Sequence, residues 1–263
     1  MKFGMPSLIE YRTVEEHARF CAENGLSFFE LNLAFPWFQS DKINPDDLLL
    51  YKEKYSIGYT IHFHDEINPF DFSPELRRGA LENVSYVLEL AKTIGAMKVN
   101  MHMMRGTYSA VNGVKMFAYG LCEQEYLDHV REFINLCDKI LDGTDTLFCI
   151  ENTNGFKDFQ KHAIELMLKD KNFALTFDIG HNFKATEDDE SFIMSHKERL
   201  KHIHLHDVTE KSNHVALGTG ILDVQKYMDL IKKTDASVVV EVKESKSLVE
   251  SIGFLRKAGI IQG

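Results

Sequence analysis

The chain has 263 residues, of which 44% are hydrophobic and 27% charged, so it can bury the core of a full-sized domain. Its formal charge of −10 at pH 7 gives it no overall basic surface, which argues against nucleic acid as a partner. We expect a cytoplasmic protein without membrane contact, because the apolar runs are too short to cross a bilayer and the N-terminus lacks the apolar segment of a signal peptide.

Short β-rich runs alternate with segments of helical periodicity, and this alternation repeats eight times. The first helical segment has a capping box at Thr13 and Glu16, and a later one starts at Ser73 and Pro74. The predicted strands, in chain order, are KFGM, FFELNL, GYTIHFH, AMKVNMH, TLFCIEN, FALTFDI, HIHLHD and SVVVEVK. Eight β-α units predict an α/β protein, a single (β/α)8 TIM barrel with one domain over residues 1–263. A doubly wound open sheet is the alternative, but no GxGxxG follows the first strand to favour it.

Polar residues occupy alternate positions in several of these strands, although barrel strands are usually almost continuous in Val, Ile and Leu. In the seventh strand, three histidines share one face, while Ile203 and Leu205 take the other. The polar face carries Glu30 and Asn32 in the second strand, and Thr60, His62 and His64 in the third. It carries Lys98, Asn100 and His102 in the fourth strand, and His202, His204 and His206 in the seventh. We expect these faces to line the barrel interior.

Single acids in apolar surroundings end three other strands: Glu151 after LFCI, Asp178 after LTF and Glu241 after SVVV. Barrel active sites are built at such carboxyl-terminal strand ends. A lone inward histidine is usually a hydrogen-bonded core residue, but many buried carboxylates and imidazoles together are costly unless they bind a metal. The four cysteines lack CxxC spacing, so a thiolate site is not indicated. The sequence therefore predicts a divalent zinc, manganese or cobalt ion bound by histidines and carboxylates, with a second ion possible.

The stretch HIHLHDVTEKSNHVALGTG, together with ENTNG, FDIGH and Glu241, resembles the xylose isomerase-like barrel superfamily. The motif of this superfamily is HxHLxD followed by a DxHxxLGxG-like loop. The superfamily includes sugar and sugar-phosphate isomerases and epimerases, inosose dehydratases and apurinic-site endonucleases. The metal ligands that the resemblance implies are Glu151, Asp178, His204 and Glu241. The additional ligands of the multinuclear endonuclease site fall on His62, His102, His181 and His214. Ser212 replaces the aspartate expected two residues before His214, which argues against a third metal ion.

Three functional hypotheses follow. The first is a metal-dependent isomerase or epimerase of a small sugar, sugar phosphate or related polyol, with Glu151 and Glu241 transferring protons from opposite sides of the substrate. The second is a metal-dependent phosphodiesterase acting on abasic DNA, which Asp65 and Glu66 oppose because they occupy the places of apolar wedges and repel phosphates. The third, a non-catalytic sugar- or metal-binding barrel, gives no reason for two acid/base carboxylates. The exact substrate and the oligomeric state stay open.

The segment MMRGTYSAVNGVKMFAYG after the fourth strand is unusually long and contains several glycines. We predict a loop that covers the substrate, with Arg105 and Lys115 as candidates to bind an anionic group. Lys243, on the same strand face as Glu241, is a third candidate of this kind.

Overall fold

Eight parallel strands close into a barrel in the computed structural model, which describes residues 1–153, 155–185 and 188–261. Ten strands are numbered in chain order, and the barrel follows the order β1-β2-β3-β4-β7-β8-β9-β10, with β10 pairing back onto β1. The barrel strands are β1 (Phe3–Met5), β2 (Phe28–Asn32), β3 (Gly58–His62), β4 (Lys98–His102), β7 (Leu147–Glu151), β8 (Phe173–Asp178), β9 (Leu200–Leu205) and β10 (Ser237–Val240). The eight predicted strands and the (β/α)8 TIM barrel are confirmed, and the open sheet is excluded.

Helices connect the barrel strands, and one more follows the last strand. They are α1 (Val14–Glu23), α2 (Pro45–Tyr55), α3 (Pro74–Ile94), α4 (Ala118–Leu121), α5 (Glu123–Leu141), α6 (Asp158–Met167), α7 (Ile179–Lys184), α8 (Asp189–Ser195), α9 (Val224–Ile231) and α10 (Ser245–Lys257). The predicted capping box of α1 is present, with the Thr13 side chain accepting from the backbone N–H of Glu16, and Ser73 caps α3. None of the helices in the described ranges is long and apolar enough to cross a membrane.

The two faces of the barrel strands separate apolar from polar residues, as the alternation predicted. Leu31, Ile61 and Val99 are fully buried in the apolar core, whereas the alternating Thr60 and Asn100 are buried among the polar residues. The parallel register places polar residues beside one another on neighbouring strands. The aligned pairs are Glu30 with Thr60, His62 with Asn100, His102 with Glu151, and Asp178 with His204. The polar side chains of distant sequence segments thus meet at the carboxyl ends of the strands.

The long segment after β4, in which we predicted a loop that covers the substrate, contains a β-hairpin. Strand β5 (Tyr108–Val111) pairs in antiparallel fashion with β6 (Val114–Phe117). The turn residues Asn112 and Gly113 have φ angles of 51° and 80°. Positive φ at both positions is typical of the two-residue turn that matches the twist of a hairpin, and Asn-Gly is its preferred sequence. That dipeptide was the signal that the sequence interpretation missed.

The two basic residues of this segment have partners close by. Arg105 Nη2 donates a hydrogen bond to the carbonyl of Gly155 at 2.9 Å, and Lys115 Nζ lies 4.4 Å from the centroid of the Tyr108 ring. Their binding of an anionic group remains a prediction.

Candidate metal centre

The four residues predicted as the principal ligands converge on one nitrogen. His204 Nδ1 lies 3.0 Å from Glu241 Oε2, 3.2 Å from Glu151 Oε1 and 4.0 Å from Asp178 Oδ2. His204 lies in β9, and Glu241 directly follows β10. Glu151 is the last residue of β7, and Asp178 is the last residue of β8. All four are buried. The barrel thus surrounds one imidazole nitrogen with three carboxylates that are distant in sequence.

This arrangement concentrates negative charge. Burial favours the neutral form of Glu151, but the neighbouring charges of His204 and His102 outweigh it and hold the pKa of Glu151 well below its ordinary value. Burial likewise favours neutral His204, but Glu151, Glu30 and Glu241 raise its pKa well above the ordinary value. The lowered pKa of Glu151 favours its ionised form, which is the form in which a carboxylate binds a metal.

Glu241 provides a direct indication that a cation fits. Its Oε2 is buried and has no hydrogen-bond donor among the described residues, because the 3.0 Å contact with His204 lacks hydrogen-bond geometry. Its other oxygen, Oε1, accepts from Lys243 Nζ at 2.8 Å. A buried carboxylate oxygen without a donor is costly, and a divalent ion would satisfy it. The donor set of one imidazole and three carboxylates suits zinc, manganese or cobalt.

His62 and His102 form a second group beside Glu151. Their Nε2 atoms lie 3.6 Å and 3.5 Å from Glu151 Oε2. His62 Nδ1 lies 2.9 Å from the Phe63 carbonyl, to which it can only donate, so its Nε2 lone pair points toward the site. His102 Nδ1 lies 3.0 Å from Asp65 Oδ1. Asp65, considered from the sequence only as an obstacle to DNA, thus contacts a candidate ligand.

His181 and His214 belong to the same cluster and contact the other carboxylates. His181 Nδ1 is 3.3 Å from Asp178 Oδ2 and 3.7 Å from Glu151 Oε1. Asp178 also caps α7, because its side chain accepts from the backbone N–H of His181 at 2.6 Å. His214 Nδ1 lies 3.8 Å from Glu241 Oε1 and 3.1 Å from the Glu241 carbonyl. The structure therefore brings all eight predicted ligands to one end of the barrel.

His206 has a different position in this cluster. Its Nδ1 accepts a hydrogen bond of 3.0 Å from the backbone N–H of His214, so the proton is on Nε2. That Nε2 lies 3.2 Å from Asp178 Oδ1 and can donate to it. Gly180 makes room for the ring, because a Cβ there would stand 1.9 Å from His206 Cε1. His206 thus orients a candidate ligand and does not offer a free lone pair itself.

Two buried residues that contact the ligands received no role from the sequence. Asn100 donates to Glu151 Oε2, and Glu30 Oε1 lies 3.1 Å from His204 Nε2. Their place on the inward faces was predicted by the two-residue alternation, but their partners come from other strands. Of the ENTNG stretch, residue 154 lies outside the described residues.

Comparisons with known proteins extend over nearly the whole chain. An uncharacterized protein of Methanocaldococcus jannaschii, MJ1188, is 24% identical over 240 residues, which cover 87% of this chain and 83% of that protein. A structure of a D-tagatose 3-epimerase-like protein has a TM-score of 0.76 and 20% identity, and covers 98% of this chain and 96% of that one.

Two further solved structures are similar at lower identity. The 3-keto-D-glucoside 4-epimerase YcjR from E. coli has a TM-score of 0.77 at 16% identity, with 98% of this chain and 99% of that one covered. The IolI protein, whose structure contains a bound zinc atom, has a TM-score of 0.71 at 15% identity, with coverage of 99% and 97%. At such identities the likeness shows a shared fold.

A match to a family model identifies the family of this chain. The model of the xylose isomerase-like TIM barrel matches residues 18–258, a range that contains every candidate ligand described above, and the chain therefore belongs to the xylose isomerase-like TIM barrel family.

Proposed function

We propose that this protein is a metal-dependent isomerase or epimerase of a small sugar, sugar phosphate or related polyol. The observation that carries the proposal is the pair Glu151 and Glu241, which approach the same nitrogen of His204 within 3.2 Å and 3.0 Å from two separate strands. Similarity to a D-tagatose 3-epimerase-like protein and to a 3-keto-D-glucoside 4-epimerase supports this substrate class.

The proposed divalent ion would be held by Glu151, Asp178, His204 and Glu241. The donorless Glu241 Oε2 and the excess of carboxylates support it, as does the zinc atom in the similar IolI structure. When bound, the ion would polarise a carbonyl or hydroxyl oxygen of the substrate. A second, weaker ion is proposed at Glu151 Oε2 and the Nε2 atoms of His62 and His102. His214, another of the predicted additional ligands, lies beside Glu241, with its Nδ1 3.8 Å from Glu241 Oε1.

The two glutamates are the proposed acid/base pair. Burial favours neutral Glu241, but Lys243, His204 and His214 hold its pKa well below the ordinary value, as His204 and His102 do for Glu151. Both groups are thus carboxylates that can accept a proton. One would remove a proton from the carbon next to the carbonyl, and the other would deliver a proton from the opposite face.

Isotope exchange tests this proposal. Ketoses and their phosphates are converted in deuterated water by metal-loaded protein, and the product is expected to carry deuterium at the reacting carbon. Glu241→Gln should abolish labelling while metal stays bound, whereas Glu244→Gln, at an exposed position three residues further along, should label normally. Turnover without label would instead indicate a hydride shift and refute the proton-transfer mechanism.

A second candidate, phosphodiesterase activity on abasic DNA, is favoured by the near-complete ligand set of the multinuclear endonuclease pattern, from which only the aspartate replaced by Ser212 is missing. Asp65 opposes it, because this carboxylate contacts His102 where phosphates would approach. We expect metal-loaded protein to leave an abasic duplex essentially uncut. Efficient metal-dependent nicking at low enzyme concentration would make the endonuclease the leading hypothesis.

A further inference from the structure

A chain of buried polar side chains passes through the barrel interior and ends at the candidate metal centre. Lys98 Nζ donates to Ser237 Oγ at 2.9 Å, and Ser237 Oγ lies 2.7 Å from His202 Nδ1. His202 Nε2 lies 3.0 Å from Glu30 Oε2, and Glu30 Oε1 lies 3.1 Å from His204 Nε2. All of these residues are at least nine-tenths buried.

The hydrogens along this chain can be placed so that every contact joins a donor to an acceptor. A carboxylate only accepts, so His202 donates through Nε2 to Glu30 and keeps a lone pair on Nδ1. The Ser237 hydroxyl can then donate to that lone pair while it accepts from Lys98. Thr60 Oγ1 donates a further hydrogen bond of 2.8 Å to Glu30 Oε2.

Glu30 is thereby held with Oε1 directed at His204. The 3.1 Å contact lies within hydrogen-bonding distance, although its angle is not that of a hydrogen bond, and no other partner of His204 Nε2 is found in the described part of the chain. A proton on Nε2 can therefore go only to Glu30. A proton on Nδ1 would instead make the 3.2 Å hydrogen bond to Glu151 Oε1, and it would occupy the position proposed for the metal.

We propose that Glu30 is a positioning residue that keeps the proton of His204 on Nε2 and thereby leaves Nδ1 free to bind the metal. This inference rests on the proposed metal centre. In many metal sites, a metal-bound histidine donates its other ring N–H to a carboxylate, and Glu30 would be that carboxylate here. It also gives a reason for the burial of this acid in the barrel interior.

Zinc affinity measured by chelator competition tests the inference in three variants. Glu30→Gln removes the charge at nearly constant volume, and we expect zinc affinity to fall about 10- to 100-fold, the range for such outer partners. Glu30→Asp keeps the charge but draws the carboxylate back, so a smaller loss is expected. Thr60→Val is the matched control, because it removes one hydrogen bond to Glu30 and leaves the His204 contact, and its loss should be the smallest.

Nitrogen-15 NMR of the zinc-loaded proteins gives a second readout. His204 of the unmodified protein should show a zinc-bound Nδ1 and a protonated Nε2, and this signature should weaken in Glu30→Gln. At saturating zinc, Glu30→Gln should regain most of its activity. Equal zinc affinity and the same His204 signature in folded Glu30→Gln and Glu30→Asp would overturn the role of Glu30 alone. Failure of the unmodified protein to bind zinc or another divalent ion would overturn the proposed metal centre, and this inference with it.

Discussion

Two histidines of this chain, His17 and His204, are fully buried, yet their surroundings move their pKa values in opposite directions. His17 lies in α1, where its Nε2 accepts from the Leu8 N–H at 3.0 Å and its Nδ1 donates to the Thr13 carbonyl at 2.8 Å. Burial lowers its pKa. At His204, burial acts in the same direction, but the carboxylates Glu151, Glu30 and Glu241 raise the pKa instead.

The difference shows that burial alone does not indicate function. Both nitrogens of His17 have backbone partners, and the ring stacks on Phe29 with centroids 4.7 Å apart, so a neutral imidazole satisfies every group around it. Around His204, three carboxylates compete for one nitrogen and Glu241 Oε2 is left without a donor. An unbalanced buried charge is the feature that distinguishes the candidate site from the core.

The largest expected effect is the loss of kcat when either glutamate of the proposed acid/base pair is replaced by glutamine. Glu151→Gln and Glu241→Gln are each expected to lower kcat about 10²- to 10⁴-fold, the range that general acid/base catalysis covers. His17→Gln, which also changes a buried polar side chain, should leave kcat of the folded protein nearly unchanged. Steady-state kinetics at saturating metal provides the measurement. Full activity in both glutamate variants would remove them from the chemistry.

The second-largest expected effect is on zinc affinity, which should depend on His204 and not on His17. His204→Asn removes the shared nitrogen, so we expect zinc affinity to fall more than about 100-fold, beyond the loss typical of outer partners. His17→Asn should bind zinc like the unmodified protein. Chelator competition and elemental analysis after gentle purification check both variants. Unchanged zinc content in His204→Asn would show that the metal, if bound, lies elsewhere.

Much of the fold and the clustering of polar residues at one end of the barrel were predictable because both depend on simple periods, whereas the ligand set was implied by the family resemblance. The two-residue alternation placed His202 and His204 on an inward face, and the position of Asp178 at a strand end placed it at the barrel rim. Closure of the barrel then brings the strand ends together, so residues predicted separately become neighbours.

The remaining features depend on contacts across strands that no single segment reveals. The sequence put Glu30 and Asn100 on inward faces, but their partners His204 and Glu151 come from other strands. The proton position of His206 is set by the backbone N–H of His214, a residue whose φ is 54°. Such partners are decided by register and turn geometry, which residue patterns describe only coarsely.

Substitution of His17 should lower the stability of the fold more than substitution of a typical surface residue. His17→Ala leaves the Leu8 N–H and the Thr13 carbonyl without their side-chain partners and opens a cavity beside Phe29. We expect the free energy of unfolding to fall by about 2–3 kcal/mol, from lost hydrogen bonds and packing. Denaturant unfolding of metal-free protein measures it. A loss below about 0.5 kcal/mol, the range of surface substitutions, would contradict the structural role assigned to His17.

The smallest predicted effect is a pH dependence of that stability difference. The folded state binds a proton at His17 less readily than the unfolded state, whose histidines titrate near pH 6.5. The stability that neutral His17 contributes is therefore complete above about pH 6.5 and declines as the pH falls, because only the unfolded chain gains the proton. Histidines with raised pKa, such as His204, act with the opposite sign, since their contribution is present at low pH and is lost as the pH rises. Subtracting the unfolding free energy of metal-free His17→Asn from that of the unmodified metal-free protein cancels those common terms. The difference should shrink between pH 8 and pH 5, and a difference that stays constant or grows would mean that His17 is not held neutral by burial.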